Sequence, residues 1–274
     1  MPFTFSHPAA VLPLITGGRG RGRLVASALV AGSLAPDAMF FADSLLPGSY
    51  DTGRTLHRLR AVPTLDVAVA AALVAGWHGL LREPLTALLP DPWADRADAA
   101  TAPLRKPGSR PTWQDAAWFA GSAALGAATH IGWDSFTHRG CAGVRLLPVL
   151  DRDFAGMPGY QALQWGTSAV GLGALALAGS RVLRGRTDVP PRRTVLTRRA
   201  RRRGAALVAA GAVAGAAHRC LRDLPTGPGR RPTGSELVAV VSFGGGTGAL
   251  LGAALHAAAT RLTSRPNSGL TSAP

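Results

Sequence analysis

Residues 115–138 read DAAWFAGSAALGAATHIGWDSFTH, and the fold turns on them. About 20 residues at 1.5 Å rise cross a roughly 30 Å hydrocarbon core, and this block is long and apolar enough to do so. Yet it closes on HIGWDSFTH, with His130, Asp134 and His138 at four-residue spacing. Each four-residue step drifts only about 40° around a helix with 3.6 residues per turn, so the three side chains share one face. An Asp inside a span costs roughly 3 kcal/mol on the insertion scale, so Asp134 calls for a partner or a function.

The rest of the chain is patterned in the same way. Of 274 residues, 47% are hydrophobic and only 16% charged, and the mean hydropathy is +0.15. The apolar residues fall in six blocks, at about 24–46, 61–81, 115–137, 160–183, 204–222 and 235–262. This pattern predicts an all-α, polytopic transmembrane helix bundle of about six spans, with a short additional N-terminal helix. The expected organisation is a membrane domain over 1–183, an Arg-rich loop over 184–203, two Ala/Gly-rich spans within 204–265, and a disordered tail over 266–274. GGGTG at 244–248 is expected to bend or break the last span or to aid its packing. The Pro-rich stretch 84–114 reads as a linker with a short helix near Leu85–Leu89.

The net charge of +15 raises nucleic acid as a partner, but no nucleic-acid fold signature accompanies it. The arginines gather between apolar blocks, as in cytoplasmic membrane loops, and the bilayer is the expected partner. Placing 184–203 in the cytoplasm puts the larger share of Arg and Lys on that side. Cys141 and Cys220 form no CxxC pair or disulfide framework. MPFTFSHPAAVLPLITGG has no basic n-region, so no cleavable signal peptide is expected and insertion rests on the spans themselves. The oligomeric state is not encoded in any feature of the sequence.

Further ionisable residues converge on the end of the bundle where His138 lies. Asp37 sits in SLAPDAMFF, in the far half of the first span, and His57 lies in the next loop. SHPAAVLPLI followed by GGRGRGR reads as the first arm of a hairpin of two short helices, which brings His7 toward Asp37. The alternative is a single span from Leu24 that leaves His7 in the cytoplasm. With the hairpin, His7, Asp37, His57, His130, Asp134 and His138 form one His/Asp cluster at the non-cytoplasmic face. His130 and His138 stand about 12 Å apart along a straight helix, so His138 needs a helix end, with Gly140 close behind, or a second ion. Imidazole and carboxylate suit zinc first, with manganese or iron as alternatives. His78, His218 and His256 read as interfacial or packing residues.

Taken together, MPFTFSHPAAVLPL (1–14), LVASALVAGSLAPDAMFF (24–41), ALGAATHIGWDSFTH (124–138) and YQALQWGTSAVGL (160–172) resemble a bacterial membrane family, domain of unknown function 4184. The resemblance runs from Met1 to about Leu183. His7, Pro36–Asp37 and His57 are more distantly similar to membrane-bound metal-dependent hydrolases of the inner membrane. His130 and Asp134 resemble the H-x3-D zinc pair of zinc-dependent phospholipases C, although the H-x3-E element of those enzymes is absent. These likenesses imply a bacterial plasma membrane location and a metal-dependent hydrolase acting on a phosphoester or lipid-linked substrate. In that reading Asp37 and His57 are catalytic, as ligands or general base, and Arg58, Arg139, Gln164 and Ser168 contact substrate. The alternative is a non-catalytic transporter, ion-handling protein or assembly factor that uses the same cluster to bind an ion.

Overall fold

The computed structural model describes residues 3–103, 110–185, 194–224 and 232–263. The tail 266–274 and residues 186–193 of the Arg-rich loop lie outside these. All six apolar blocks are helical. The chain begins with a 3-10 helix, Thr4–Leu14, containing Pro8 and Pro13. Neither proline can donate a backbone hydrogen bond. A two-stranded ribbon follows, β1 (Ile15–Thr16) against β2 (Arg19–Gly20), turned by Gly17 and Gly18 at positive φ. The N-terminus therefore folds back as a hairpin, and its first arm is a 3-10 helix.

The second arm is α1 (Ala26–Leu34), which passes through a 3-10 turn at Ala35–Asp37 into α2 (Ala38–Ala42). The short α3 (Ser49–Leu56) ends at His57. Next, α4 (Leu65–Gly76) continues through a π-turn, Trp77–Leu81, into α5 (Arg82–Thr86). The second span thus runs several residues past its expected end at 81. The helix expected near Leu85–Leu89 is met only at its start, by the end of α5, and the linker also forms α6 (Trp93–Ala100), held to α5 by the Arg82–Asp98 ion pair at 2.6 Å. Then come α7 (Trp113–Thr137), the short α8 (Ala142–Leu146), a second ribbon of β3 (Asp153–Phe154) and β4 (Met157–Pro158), and α9 (Gly159–Arg184). The last two helices are α10 (Arg198–Asp223) and α11 (Gly234–Thr263). No break occurs at GGGTG; α11 is one continuous helix of 30 residues.

Among the described residues, four helices are long and apolar enough to cross a membrane: Leu65–Thr86, α9, α10 and α11. Ala26–Ala42 is apolar but shorter. It packs with α7, and these two carry Asp37, His130 and Asp134 of the cluster. Their contact is made by small residues. A Cβ on Gly32 would stand 2.1 Å from the Ala123 carbonyl oxygen, and one on Gly126 would stand 2.2 Å from that of Leu29. Ala28, Ala31, Ala35, Ala70 and Ala123 fill the seam shared with α4. Backbone-to-backbone approach of this kind is how helices associate in lipid, where burial of apolar surface drives nothing. The α10–α11 pair repeats the device, since a Cβ on Gly248 would fall 1.9 Å from the Gly211 oxygen.

The two ends of the bundle differ. At one, Arg23 lies over Trp118, Arg96 donates to the Leu183 carbonyl, and Arg201 pairs with Asp91. At the other lie the cluster, α3 and α8.

Candidate metal centre

The close approach at Gly32 and Gly126 fixes the first site residue. One turn beyond Gly126, the His130 Nδ1–H donates to the Ser33 carbonyl at 2.7 Å across the α1–α7 seam. A carbonyl only accepts, so the proton is on Nδ1 and the Nε2 lone pair faces inward. His57 is set in the same way: its Nδ1–H donates to the Gly53 carbonyl at 2.9 Å. Gly53 has no side chain, and the Phe40 ring occupies the space a Cβ would take, close to the His57 ring. Such outer hydrogen bonds orient imidazole ligands in metal sites.

Two carboxylates face these nitrogens. His57 Nε2 lies 3.3 Å from Asp37 Oδ1 and 3.5 Å from Asp134 Oδ2. His130 Nε2 lies 3.6 Å from Asp37 Oδ1 and 3.4 Å from Asp134 Oδ2. Thr4 Oγ1 donates to the other Asp37 oxygen at 2.5 Å, which fixes that carboxylate. On its far oxygen, Asp134 Oδ1 stands 3.5 Å from His7 Nε2. The His7 ring stacks on His130 and meets Trp133 edge-on. His7, His130 and Asp37 are fully buried, and Asp134 nearly so.

These separations are too long for charge-assisted hydrogen bonds, which lie near 2.7–2.9 Å. They match the spacing of ligand atoms around an ion: donors about 2.0–2.1 Å from a tetrahedral metal stand about 3.3–3.4 Å from one another. Accordingly Asp37 Oδ1, Asp134 Oδ1, His130 Nε2 and both ring nitrogens of His7 are buried without a hydrogen-bond partner. Among the described residues, two sets offer ligand atoms within 4.8 Å of one another: Asp37, His57 and His130, and His7, His130 and Asp134. Carboxylate oxygens and imidazole nitrogens at this spacing fit a divalent metal, zinc above all. Burial pulls the His57 pKa down, but the facing Asp134 and Asp37 carboxylates outweigh it and push it up to about 10. A cation held by that nitrogen would have to displace its proton.

The remaining expected residues fall elsewhere. The α7 helix ends at Thr137, and His138 adopts an extended backbone. Its Nδ1–H donates to the Asp134 carbonyl at 3.0 Å, so that nitrogen is not a ligand, and the ring belongs to neither set. Arg58 and Arg139 are exposed beside His57 and His138. Ser168 accepts the Phe3 backbone N–H at 3.0 Å and so pins the start of the N-terminal helix. Gln164 is buried one turn before it on α9.

Sequence reasoning misses Asp66. It is fully buried in the first turn of α4, neither carboxylate oxygen has a hydrogen-bond partner, and its charge acts on His57 and His130. An acid in a helix's first turn is ordinary, since it complements the dipole, and so it carries no signal.

The helices and this buried cluster define a helical membrane protein with a polar His/Asp site at one end of its bundle. The chain belongs to the family described as Domain of unknown function (DUF4184), which matches residues 1–257. The match extends beyond Leu183, through α10 and into α11, so these helices are part of the family's unit. No curated protein and no solved structure matches the chain.

Proposed function

We propose that the chain is a membrane-bound metal-dependent hydrolase whose ion is held by Asp37, His57, His130 and Asp134. The observation that carries this reading is the set of inward-facing imidazole nitrogens and carboxylate oxygens, 3.3 to 3.6 Å apart and without hydrogen bonds between them. A divalent metal bound there supplies Lewis acidity and a water acidified toward neutrality. The chain's own residues do the rest. Ser33 and Gly53 hold the imidazoles in one tautomer, Thr4 fixes Asp37, and Phe40 shields His57. Asp66 is a buried carboxylate outside the ligand set whose charge acts on His57 and His130.

The His57 and His138 side chains are 23% and 25% exposed, so the cluster opens toward α3 and α8. Arg58 and Arg139 flank that opening and favour an anionic, phosphoester or lipid-linked substrate. The positive-inside rule places the opposite, Arg-rich end in the cytoplasm and the site at the outer face of a bacterial plasma membrane.

Purified protein in mild detergent, assayed on bis-p-nitrophenyl phosphate and on phospholipid vesicles, tests the activity. Hydrolysis that depends on added zinc or manganese and is lost in Asp134→Ala is the expected result. Bound metal with no hydrolysis of either probe favours the ion-handling reading instead. Cys141 and Cys220 are expected to react with an impermeant thiol reagent from the non-cytoplasmic side.

A further inference from the structure

A single ion leaves His7 unexplained. This imidazole is fully buried and neither of its nitrogens has a partner, a costly arrangement for a group that serves no purpose. Its ring stacks on His130 with centroids 3.7 Å apart and planes 14° from parallel. A metal bound to imidazole lies near the ring plane, about 2.0–2.1 Å from the nitrogen. An ion in the plane of His130 lies well outside the plane of His7, so these two rings cannot share it. His57 and His130 meet at 71° and can converge on one ion.

Asp134 faces both positions with different oxygens. Oδ2 looks toward His57 and His130, while Oδ1 lies 3.5 Å from His7 Nε2. Resting on the metal-dependent hydrolase reading, we propose that the site holds two divalent cations bridged by the Asp134 carboxylate. One is the ion of Asp37, His57, His130 and Asp134 Oδ2. The other sits on His7 Nε2 and Asp134 Oδ1. Two-metal hydrolytic sites keep their ions about 3.5–4 Å apart, and the two stacked rings lie 3.7 Å apart, centroid to centroid.

The two positions are unequal. The first has four protein donors, whereas the second has two, so its remaining positions fall to water and substrate oxygens. That makes the His7 ion the weaker and more exchangeable one. Charge narrows the substrate class. Two divalent cations against Asp37 and Asp134 leave surplus positive charge, and one positive charge remains even with Asp66 ionised. In a buried site such an excess favours anionic ligands, a metal-bound hydroxide and an anionic substrate among them. A phosphoryl group, with oxygens able to bridge both ions, supplies such charge; a neutral ester or amide does not.

The test uses full-length protein in detergent, stripped with chelator and reloaded with Mn2+. Equilibrium binding is expected to show a tight ion and a weaker one, and electron paramagnetic resonance to show an exchange-coupled pair at saturation. His7→Ala is expected to halve the bound manganese and leave the uncoupled six-line signal of an isolated ion. Inorganic phosphate is expected to tighten the weaker ion in the wild type and to have no effect in His7→Ala. One ion per chain with an uncoupled signal in the wild type overturns the proposal while the single-ion reading stands. No bound ion overturns both. The wild-type measurement decides even if His7→Ala does not fold, and a His7→Ala protein that keeps both ions also overturns the proposal.

Discussion

Two buried polar clusters lie at the same end of the bundle, a few residues apart along α2, and they are built on opposite plans. In the first, Arg219 donates to the Phe40 carbonyl, Ser44, Asp43 and Asp223, and Arg222 donates to Asp43 and Asp223. The distances to Phe40 and Ser44 are 2.6 and 2.8 Å. The carboxylates meet guanidinium donors at hydrogen-bonding distance, and the network stitches the end of α10 to α2. In the second, carboxylates and imidazoles point at one another and stop short of bonding. The first cluster is hydrogen-bonded throughout, whereas in the second Asp37 Oδ1, Asp134 Oδ1, His130 Nε2 and both His7 ring nitrogens have no hydrogen-bond partner. Burial of polar groups is therefore not in itself a sign of function in this molecule; incomplete satisfaction is what separates a site from a fastening.

Damage to the fastening gives the largest effect and tests whether the two clusters are independent. Arg219→Ala removes a buried guanidinium from the Phe40 carbonyl, Ser44, Asp43 and Asp223, with Arg222 left on the two carboxylates, and removing one member of a buried pair costs about 3–5 kcal/mol. Thermal unfolding in detergent is expected to show that loss with bound metal per folded chain unchanged. A fall in metal content equal to that of an Asp134 variant would mean that the two clusters are one unit. Next in size is chelation. An ion held at 100 times its Kd stabilises the fold by about 2.7 kcal/mol. Chelator is expected to lower the melting temperature of the wild type and of Arg219→Ala, but not that of Asp134→Asn. Gly126→Ala pushes a methyl group into the Leu29 carbonyl. Overpacking of this kind costs about 1–3 kcal/mol. It is also expected to weaken metal binding, because it separates His130 from Ser33. The smallest effect is that of Ser168→Ala, which removes one hydrogen bond to Phe3, worth about 0.5–1.5 kcal/mol. It is expected to leave metal content unchanged, separating a residue that pins the N-terminus from one that binds the ion.

Much of this site is legible in the amino-acid sequence alone. The H-x3-D spacing needs only helix arithmetic to put His130 and Asp134 on one face, and the Gly-Arg turn after Leu14 is enough to fold His7 back. His57 follows from the alternation of the spans. What stays hidden depends on tertiary approach. The Ser33 and Gly53 carbonyls have no side-chain signature, and Thr4 looks like any helix-start residue. Asp66 passes for an interfacial acid, and Arg219 for one more positive charge in a basic chain. His138 shares the spacing of its neighbours, but the helix ends one residue before it and its inner nitrogen is spent on the Asp134 carbonyl. In the fold, the six apolar blocks are plain. The π-turn that carries α4 into α5 is not, because the apolar run ends there while the helix continues.

Metal content is the most direct measure of the second cluster. Protein purified in mild detergent without added metal, then analysed by inductively coupled plasma mass spectrometry, is expected to carry at least one equivalent of zinc, manganese or iron. In Asp134→Ala that metal is expected to fall to background while the protein stays in the membrane. Wild-type protein with metal at background, unable to take up zinc or manganese and unmoved by chelator in its melting temperature, would contradict a metal centre at this site.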